Sequence, residues 1–420
     1  MRFLFISYNF SPEKTGIGKY NGEWAEWLVD KGHSVDVITS YPYYPEWKVH
    51  EDYKGKIGYM VERKERFNVF RCPMYIPKGK GGFGRLLSDF SFAATSFFAF
   101  LGAILLNKRY DVVVAVSPSM LNGILPTILK RTTGTAFVYH IQDLQLDAAV
   151  ELGLIKNKML EKILLYIEKF QLKSSSVVSS ISERMRQKIV EKGVSPDNYF
   201  MLENWVDTEF IKPGPVEKIL ELKAELGIPL DRRIILYSGN LGIKQGIEIL
   251  IDIAGLLKSE EDWLFVVCGD GMAREGLIAE AKRTDLKNIL FCPLQSYQRL
   301  PQLLQMADIH LIPQKKAAAD LVLPSKLSGI LSIGGVVIAC AEENTELYNI
   351  IRQNNIGYTV EPENPSALAR TIRHVMKSDT LVVGQNAREF AIKRFGKDLV
   401  LSRFGELVYN LVNFREMKGR

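Results

Sequence analysis

Short apolar runs, rich in β-branched residues, alternate with helix-length segments along most of the chain. In the first half the runs are Phe3–Ser7, Ser34–Ile38, Val112–Val116, Ala136–Tyr139 and Val177–Ser180. In the second half they are Ile234–Ser238, Leu264–Val267, Ile289–Phe291, Ile309–Ile312 and Val336–Ala339. Unbroken runs of this kind suit parallel strands covered on both faces. Their alternation with helices predicts doubly wound, Rossmann-like α/β architecture.

The pattern occurs twice. Its break falls near Phe210–Pro229, where Pro213, Gly214, Pro215 and Pro229 predict a linker over residues 208–216 and then a short helix. The predicted domains are residues 1–207 and 216–395, with a last helix, 396–420, expected to cross back to the first domain. Ligands of such sheets bind at the carboxyl ends of the strands. With two of them, the expected site is a cleft between the domains.

Composition narrows the class. The chain has 420 residues, 47% apolar and 24% charged, as a folded two-domain chain should. The net charge of +6 suits an anionic substrate or an anionic membrane surface. It is too small and dispersed to indicate nucleic acid. The four cysteines, Cys72, Cys268, Cys292 and Cys340, form no C-x-x-C pair, so neither a zinc knuckle nor another metal site is expected. Cys268 and Cys340 lie in apolar runs and read as core residues. The opening MRFLFISYNF lacks a small-residue cleavage site and reads as a first strand rather than a signal peptide.

Three strand-to-helix turns carry candidate chemistry. The first is Ser11-Pro12-Glu13-Lys14-Thr15-Gly16-Ile17-Gly18-Lys19-Tyr20, where Gly16 and Gly18 permit a tight turn and close backbone approach. It is not a G-x-G-x-x-G, because Asn21 stands where the third glycine belongs. A helix over Asn21–Lys31 should follow. The second turn, Gly239-Asn240-Leu241-Gly242-Ile243-Lys244-Gln245-Gly246, puts a lysine among glycines before a helix at Ile247–Lys258. Backbone N–H groups and an ammonium can together hold a pyrophosphate. A Walker A loop is absent.

The third turn, Asp320-Leu321-Val322-Leu323-Pro324-Ser325-Lys326, leads into an apolar helix at Leu327–Ile333. Pro324 fits the first helical position. A lysine in the first turn opposes the helix dipole, which makes sense if an anion binds there. His140 and Asp143 follow the run Ala136–Tyr139 and sit where catalytic groups belong. Each of these features also has a plain structural reading: a loop, a solvated lysine, a core histidine.

Together the residues resemble the GT-B glycosyltransferases of family 4. Glu203-Asn204-Trp205-Val206-Asp207-Thr208-Glu209-Phe210 is similar to that family's N-G-V-D-x-x-x-F signature. Gly239 with Lys244 is similar to its donor-phosphate motif, and Leu323-Pro324-Ser325-Lys326-Leu327 with Gly334 to the P-S-K helix of one branch. The strings Asn9–Tyr20, Pro42-Tyr43-Tyr44-Pro45, His140-Ile141-Gln142-Asp143, Tyr237-Ser238-Gly239-Asn240 and Pro293-Leu294-Gln295-Ser296-Tyr297 resemble the colanic-acid biosynthesis WcaI group.

The resemblance implies a retaining transferase that needs no metal or other cofactor. In it Lys244 stabilises the leaving diphosphate, His140 lies near the reacting sugar with Asp143 beside it, and Gly16 and Gly18 lie near the donor phosphates. Donor contacts are further expected from Gly239, Asn240, Gln245, Asp320, Pro324, Ser325 and Lys326. Acceptor contacts are expected from Glu13, Lys19 and Tyr43. A GDP-sugar carrying fucose is favoured over a UDP-sugar, and the implied acceptor is a saccharide on an undecaprenyl-diphosphate carrier, met at the cytoplasmic side of the membrane.

Two positions depart from the family pattern. Asn240 replaces the usual arginine, and Gly329 stands where a ribose-gripping glutamate is common. They leave open a non-catalytic nucleotide-binding or scaffold protein of the same fold. A nucleotide-sugar epimerase or dehydrogenase is less compatible, because it needs the missing G-x-G-x-x-G.

The stretch Phe90–Leu106 has no charged residue, and it carries Phe92, Phe97, Phe98 and Phe100. Lys78, Lys80, Arg85, Lys108 and Arg109 flank it. It is close to spanning length, yet Ser91, Thr95, Ser96 and Gly102 dilute it, and spanning would split a domain. Either it packs in the core, or it forms a face that dips into the cytoplasmic leaflet.

Overall fold

Each apolar run named above becomes a strand, at bounds within about two residues of those expected. The computed structural model describes residues 1–64, 67–77, 82–105, 109–119, 121–151, 153, 155, 157–242, 245–316 and 323–418. The chain divides into two units, Met1–Glu203 with Leu401–Arg420, and Asn204–Val400.

In the first unit the strands are β1 (Arg2–Ile6), β2 (Ser34–Ser40), β3 (Met60–Lys64), β4 (Phe67–Cys72), β5 (Val112–Ser117), β6 (Ala136–Ile141), β7 (Val177–Ser180) and β8 (Tyr199–Met201). They form one sheet in the order β3-β4-β2-β1-β5-β6-β7-β8. All neighbours are parallel except β3, which runs antiparallel to β4. The helices are α1 (Gly16–Asp30), α2 (Gly82–Leu105), α3 (Ile124–Thr133), α4 (Gln145–Glu151), α5 (Lys158–Ser174) and α6 (Glu183–Glu191).

The second unit is a parallel sheet in the order β11-β10-β9-β12-β13-β14. Its strands are β9 (Arg233–Ser238), β10 (Trp263–Cys268), β11 (Ile289–Cys292), β12 (Ile309–Ile312), β13 (Val337–Cys340) and β14 (Gly357–Val360). Its helices are α7 (Val216–Glu225), α8 (Ile249–Leu256), α9 (Arg274–Arg283), α10 (Leu300–Gln305), α11 (Lys326–Ser332), α12 (Glu346–Gln353), α13 (Pro365–Met376) and α14 (Leu381–Phe395). A last helix, α15 (Lys397–Lys418), carries the chain into the first unit.

Alternation along β1 shows how the first unit is filled. Leu4 and Ile6 point to one face, where they join Phe92 and Phe100 of α2, Leu125 and Leu129 of α3 and Leu172 of α5. Phe5 points to the other face and meets the Trp24 indole edge-on. Trp24 in turn packs against Phe404 of α15, ring centroids 4.6 Å apart. The four cysteines are all buried and free.

The proline-rich stretch over residues 208–216 is not a free tether. Ile211 is buried in the second core. The Gly214 N–H donates to Gln305 Oε1 at 2.8 Å, and Gln305 Nε2 donates back to the Gly214 carbonyl at 3.1 Å. The Arg388 guanidinium donates to the carbonyls of Ile211 and Thr208, each at 3.0 Å. Prolines read as a linker here leave carbonyls without local partners, and the second unit supplies donors for them.

The Phe90–Leu106 stretch falls almost wholly in α2, and its aromatic residues divide between buried and exposed. Phe92 and Phe100 are buried, whereas Phe90, Phe97 and Phe98 are exposed. Lys78, Lys80, Leu106 and Lys108 lie outside the described residues. Among the described residues, no helix is long and apolar enough to cross a membrane.

Truncating a fully buried aromatic that fills an interior contact costs about 3–5 kcal/mol. Phe404→Ala should therefore destabilise the first unit by that amount in urea unfolding, although Phe404 is far from that unit in sequence. A loss below about 1 kcal/mol would show that α15 adds little to this core.

Candidate active site

Ligands of open parallel sheets bind where the strand order reverses. In the second unit this point lies between β9 and β12. The chain leaves β9 through Gly239, whose φ of +137° is a conformation that favours glycine. The Gly239 N–H donates to the Cys268 carbonyl at 3.0 Å, and the Leu241 N–H to the Asp270 carbonyl at 2.8 Å. The Tyr237 hydroxyl donates to the Asn240 carbonyl at 2.7 Å.

Two further glycines let this turn lie against the loop after β10. A Cβ on Gly269 would sit 1.9 Å from the Gly239 oxygen, and one on Gly271 would sit 2.5 Å from the Leu241 oxygen. The Gly269-Asp270-Gly271 string was not singled out in the sequence. Its position directly after an apolar run was the available signal.

Lys326, the first residue of α11, reaches this turn. Its Nζ lies 3.7 Å from the centre of the Tyr237 ring, a cation–π contact. A Cβ on Gly239 would be 3.2 Å from that Nζ. Among the described residues no carboxylate pairs with it. Burial pushes the Lys326 ammonium down to about 7. Gln245 adds a second unsatisfied group: its Oε1 is buried without a hydrogen-bond partner among the described residues. A Cβ on Gly242 would lie 2.4 Å from that oxygen, so the amide folds over the glycine.

The other expected donor residues are placed as follows. Asn240 and Ser325 are exposed. Ser325 caps α11, so Pro324 stands one residue before the cap rather than in the first helical position. Gly329 faces Leu304, whose Cδ1 would lie 3.6 Å from an added Cβ. A longer side chain there would meet that apolar neighbour first. Lys244 and Asp320 lie outside the described residues.

In the first unit the strand order reverses between β1 and β5. After β1 the chain enters the first glycine turn, and α1 begins at Gly16 rather than at Asn21. Gly16 has φ +61° and packs against the Tyr44 ring. Gly18 is required by a neighbour: its Cβ would be 2.3 Å from Glu13 Oε2. Asn21 is fully buried, and its Nδ2 donates to Ser7 Oγ at 3.0 Å and to the Asn9 carbonyl at 2.9 Å. The residue in the third glycine's place thus ties the turn to the strand end.

Glu13 and Tyr43, expected to meet the acceptor, are turned inward. Glu13 Oε1 accepts the N–H groups of Tyr43 and Tyr44, each at 3.0 Å, and Oε2 accepts from Asn9 Nδ2 at 3.0 Å. Burial raises its carboxyl above the usual range, and those hydrogen bonds hold it back. Tyr43 is buried against Tyr8 and Trp47. Both side chains shape the loop instead of presenting a polar group outward. Lys19 is half-buried and pairs with Glu23 at 3.4 Å.

His140 lies inside β6 rather than after it, and its side chain is buried. Nδ1 is 2.9 Å from Ser179 Oγ. Nε2 is 2.9 Å from the Gln142 amide nitrogen, which donates, so the ring is protonated on Nδ1. Burial pushes its pKa down to about 3, so the ring stays neutral. Its reach is to Gln142, which is buried at the carboxyl end of β6, next to exposed Asp143. In the string His140-Ile141-Gln142-Asp143 the signal for Gln142 is its position two residues after the strand histidine.

Residues 15–205 match the model described as "Glycosyl transferase 4-like domain", and residues 218–393 match "Glycosyl transferases group 1". The chain is 39% identical over 414 residues to the Escherichia coli K12 protein named as a colanic acid biosynthesis glycosyl transferase, WcaI, covering 96% of this chain and 98% of that one. It belongs to the family 4 glycosyltransferases. A more distant relative, WbjE of Pseudomonas aeruginosa, is 26% identical over 76% of this chain and 80% of its own.

The GT-B fold of this family 4 glycosyltransferase is shared with solved structures. Sucrose-phosphate synthase from Thermosynechococcus elongatus superposes with a TM-score of 0.73 at 17% identity, over 98% of both chains. HepE of Anabaena, solved with UDP and glucose, superposes with a TM-score of 0.69 at 16% identity, over 98% of this chain and 100% of that one.

The position of Lys326 carries a stability consequence. The folded state favours the neutral amine from about pH 7 upward, whereas the unfolded chain keeps its proton to about 10.5. The unfolded state holds more protons across that window, so this group makes the ligand-free protein more stable as pH rises through it. Lys326→Met should therefore raise the melting temperature most below about pH 7 and least near pH 10. Paired melting curves check this. Equal shifts at both ends would show that the ammonium carries no burial penalty.

Proposed function

We propose that the protein is a retaining glycosyltransferase that moves fucose from a GDP-sugar to a lipid-linked saccharide in exopolysaccharide assembly. The observation that carries the donor half is the Lys326 ammonium, which has no carboxylate partner among the described residues and lies beside the positive-φ turn at Gly239. Such a group beside a glycine turn that a ligand can approach closely suits a diphosphate. Support for the class of donor comes from HepE, whose structure holds UDP and glucose. Support for a polysaccharide product comes from the naming of the E. coli relative for colanic acid biosynthesis.

In this reading, cleavage of the sugar–phosphate bond leaves negative charge on the departing diphosphate. Lys244 and Lys326 stabilise that charge as it develops, with Gln245 and Asn240 at the same turn. The lysines do this without a metal cofactor. In the first unit Gln142 and Asp143 are the polar groups that meet the reacting sugar, and His140 positions Gln142 through its neutral Nε2. Lys19 remains the candidate contact for the acceptor. A lipid-linked acceptor places the reaction at the cytoplasmic face of the membrane. Nucleic acid has no part in it.

Removing one donor that stabilises developing charge costs on the order of 10²–10³ in turnover. Lys244→Ala should show a loss of that size with an unchanged melting temperature, measured as transfer from GDP-fucose. Near wild-type turnover would remove Lys244 from the phosphate site. His140→Ala and Gln142→Ala should lower turnover to a similar extent if the histidine acts through the amide; a silent Gln142→Ala would separate the two. A thermal-shift screen tests the donor. Ligand at about 100 times its Kd adds about 2.7 kcal/mol to stability, so GDP should shift melting more than UDP does. Nucleotide binding with no transfer from any GDP- or UDP-sugar would favour the non-catalytic reading.

A further inference from the structure

The first unit has a helical layer that is apolar on its outer side. Five of the exposed large apolar residues lie on α2: Leu87, Phe90, Phe97, Phe98 and Leu101. Leu87, Phe90, Phe97 and Leu101 are spaced by three, seven and four, and Phe98 adjoins Phe97, so the five lie on one side of the helix. Five more lie on α5: Met159, Leu160, Ile163, Tyr166 and Phe170. Tyr166 is 71% exposed and Met159 is 73% exposed, although both belong to a side-chain stripe of helical period. Ile128 of α3 joins them.

These three helices cover the same face of the sheet, since Phe92, Leu125, Leu129 and Leu172 enter one core. They also touch. The Arg131 guanidinium of α3 stacks on the Phe170 ring of α5 at 4.9 Å, and Lys130 Nζ donates to the Ser174 carbonyl at 2.9 Å. Between α2 and α3 lies an apolar groove of about 370 Å³. Phe97 and Phe98 stand on one side of it, Leu121 and Ile124 on the other, and Ile6 of β1 is among its lining residues.

The charges of this layer are sorted by sign. On α2, α3 and α5 the acids are Asp89, Glu161 and Glu168. Asp89 is buried, Glu161 pairs with Lys158 at 3.0 Å, and Glu168 pairs inward with Lys192 at 2.6 Å. None of the three is exposed. The exposed charges are Arg85, Arg131, Lys158, Lys162, Lys169 and Lys173. An apolar surface with a one-signed basic margin suits an interface that is greasy in its middle and anionic around it.

We propose that the outer side of α2, α3 and α5 docks on an anionic bilayer, with the lysines of α5 at the headgroups and a lipid chain entering the α2–α3 groove. The proposal rests on the reading of the acceptor as lipid-linked, and it adds α5 as a contact distinct from the apolar stretch on α2. Ile6 in the groove immediately precedes Ser7, at the carboxyl end of β1. A chain held there leads its headgroup toward the polar end of the sheet.

The test is flotation of the full-length protein with vesicles containing phosphatidylglycerol, and with vesicles of phosphatidylcholine alone. Wild type should float with the first and weakly with the second. Ile163→Glu/Tyr166→Glu should reduce binding to both, and Lys162→Glu/Lys169→Glu should reduce binding to the anionic vesicles on the order of tenfold. The sites are exposed, so melting temperature and GDP-induced stabilisation should stay at wild-type values. Wild type that fails to float, or α5 variants that float like wild type, would overturn the proposal. If Phe98→Glu abolishes flotation while the α5 variants do not, the docking face fails and the lipid-linked reading stands. A wild-type dimer in sedimentation that the α5 substitutions dissociate would reassign the face to self-association and overturn bilayer docking.

Discussion

An ammonium group with no carboxylate partner among the described residues, held over an aromatic ring at the mouth of a glycine turn, is the constraint around which the second unit is arranged. Lys326 gains from the Tyr237 ring face but lies where burial disfavours its charge. That is an unfavourable arrangement for a ligand-free protein and a useful one for binding an anion. The same side chain sets the size of its neighbour, because a Cβ at Gly239 would press on Lys326 Nζ. The turn is fixed in place by close backbone contacts that only glycine allows at residues 269 and 271. Backbone contacts thus fix the turn against which the Lys326 ammonium rests.

The first unit uses a different device to the same end. Its turn after β1 is built on a buried carboxylate, Glu13, which receives two backbone N–H groups and an amide. Asn21 closes the turn from the other side. The hydrogen bonds of Glu13 and of the Asn21 amide nitrogen are made within the unit, where they hold loop shape. The histidine of β6 belongs to this class. It is neutral and buried, and it touches the rest of the site through Gln142.

Most of the architecture was legible in the sequence because parallel strands buried on both faces must be continuous apolar runs. The strands that escaped notice break that rule for visible reasons. β3 is an edge strand carrying Glu62 and Arg63, and β4 carries Arg71, whose buried guanidinium is paired with Glu62 at 2.9 Å. β8 has three residues, and β14 opens with Gly357, where a Cβ would strike Val337. The glycine turns were legible too, but what each glycine makes room for was not. Gly18 serves Glu13, and Gly239 serves Lys326; such pairings depend on neighbours 5 and 87 positions away. Glu13 and Tyr43 looked available for an acceptor because sequence does not show which way a loop side chain turns.

The central claim is that the second unit's turn receives a nucleoside diphosphate through Lys326. Calorimetric titration of GDP at about pH 8, repeated in buffers of different ionisation enthalpy, reads it most directly. If the phosphate meets this amine, binding draws a proton onto Lys326, the observed heat depends on the buffer, and the dependence disappears in Lys326→Met. Binding with no proton uptake, or with an uptake unchanged in the variant, would contradict the claim.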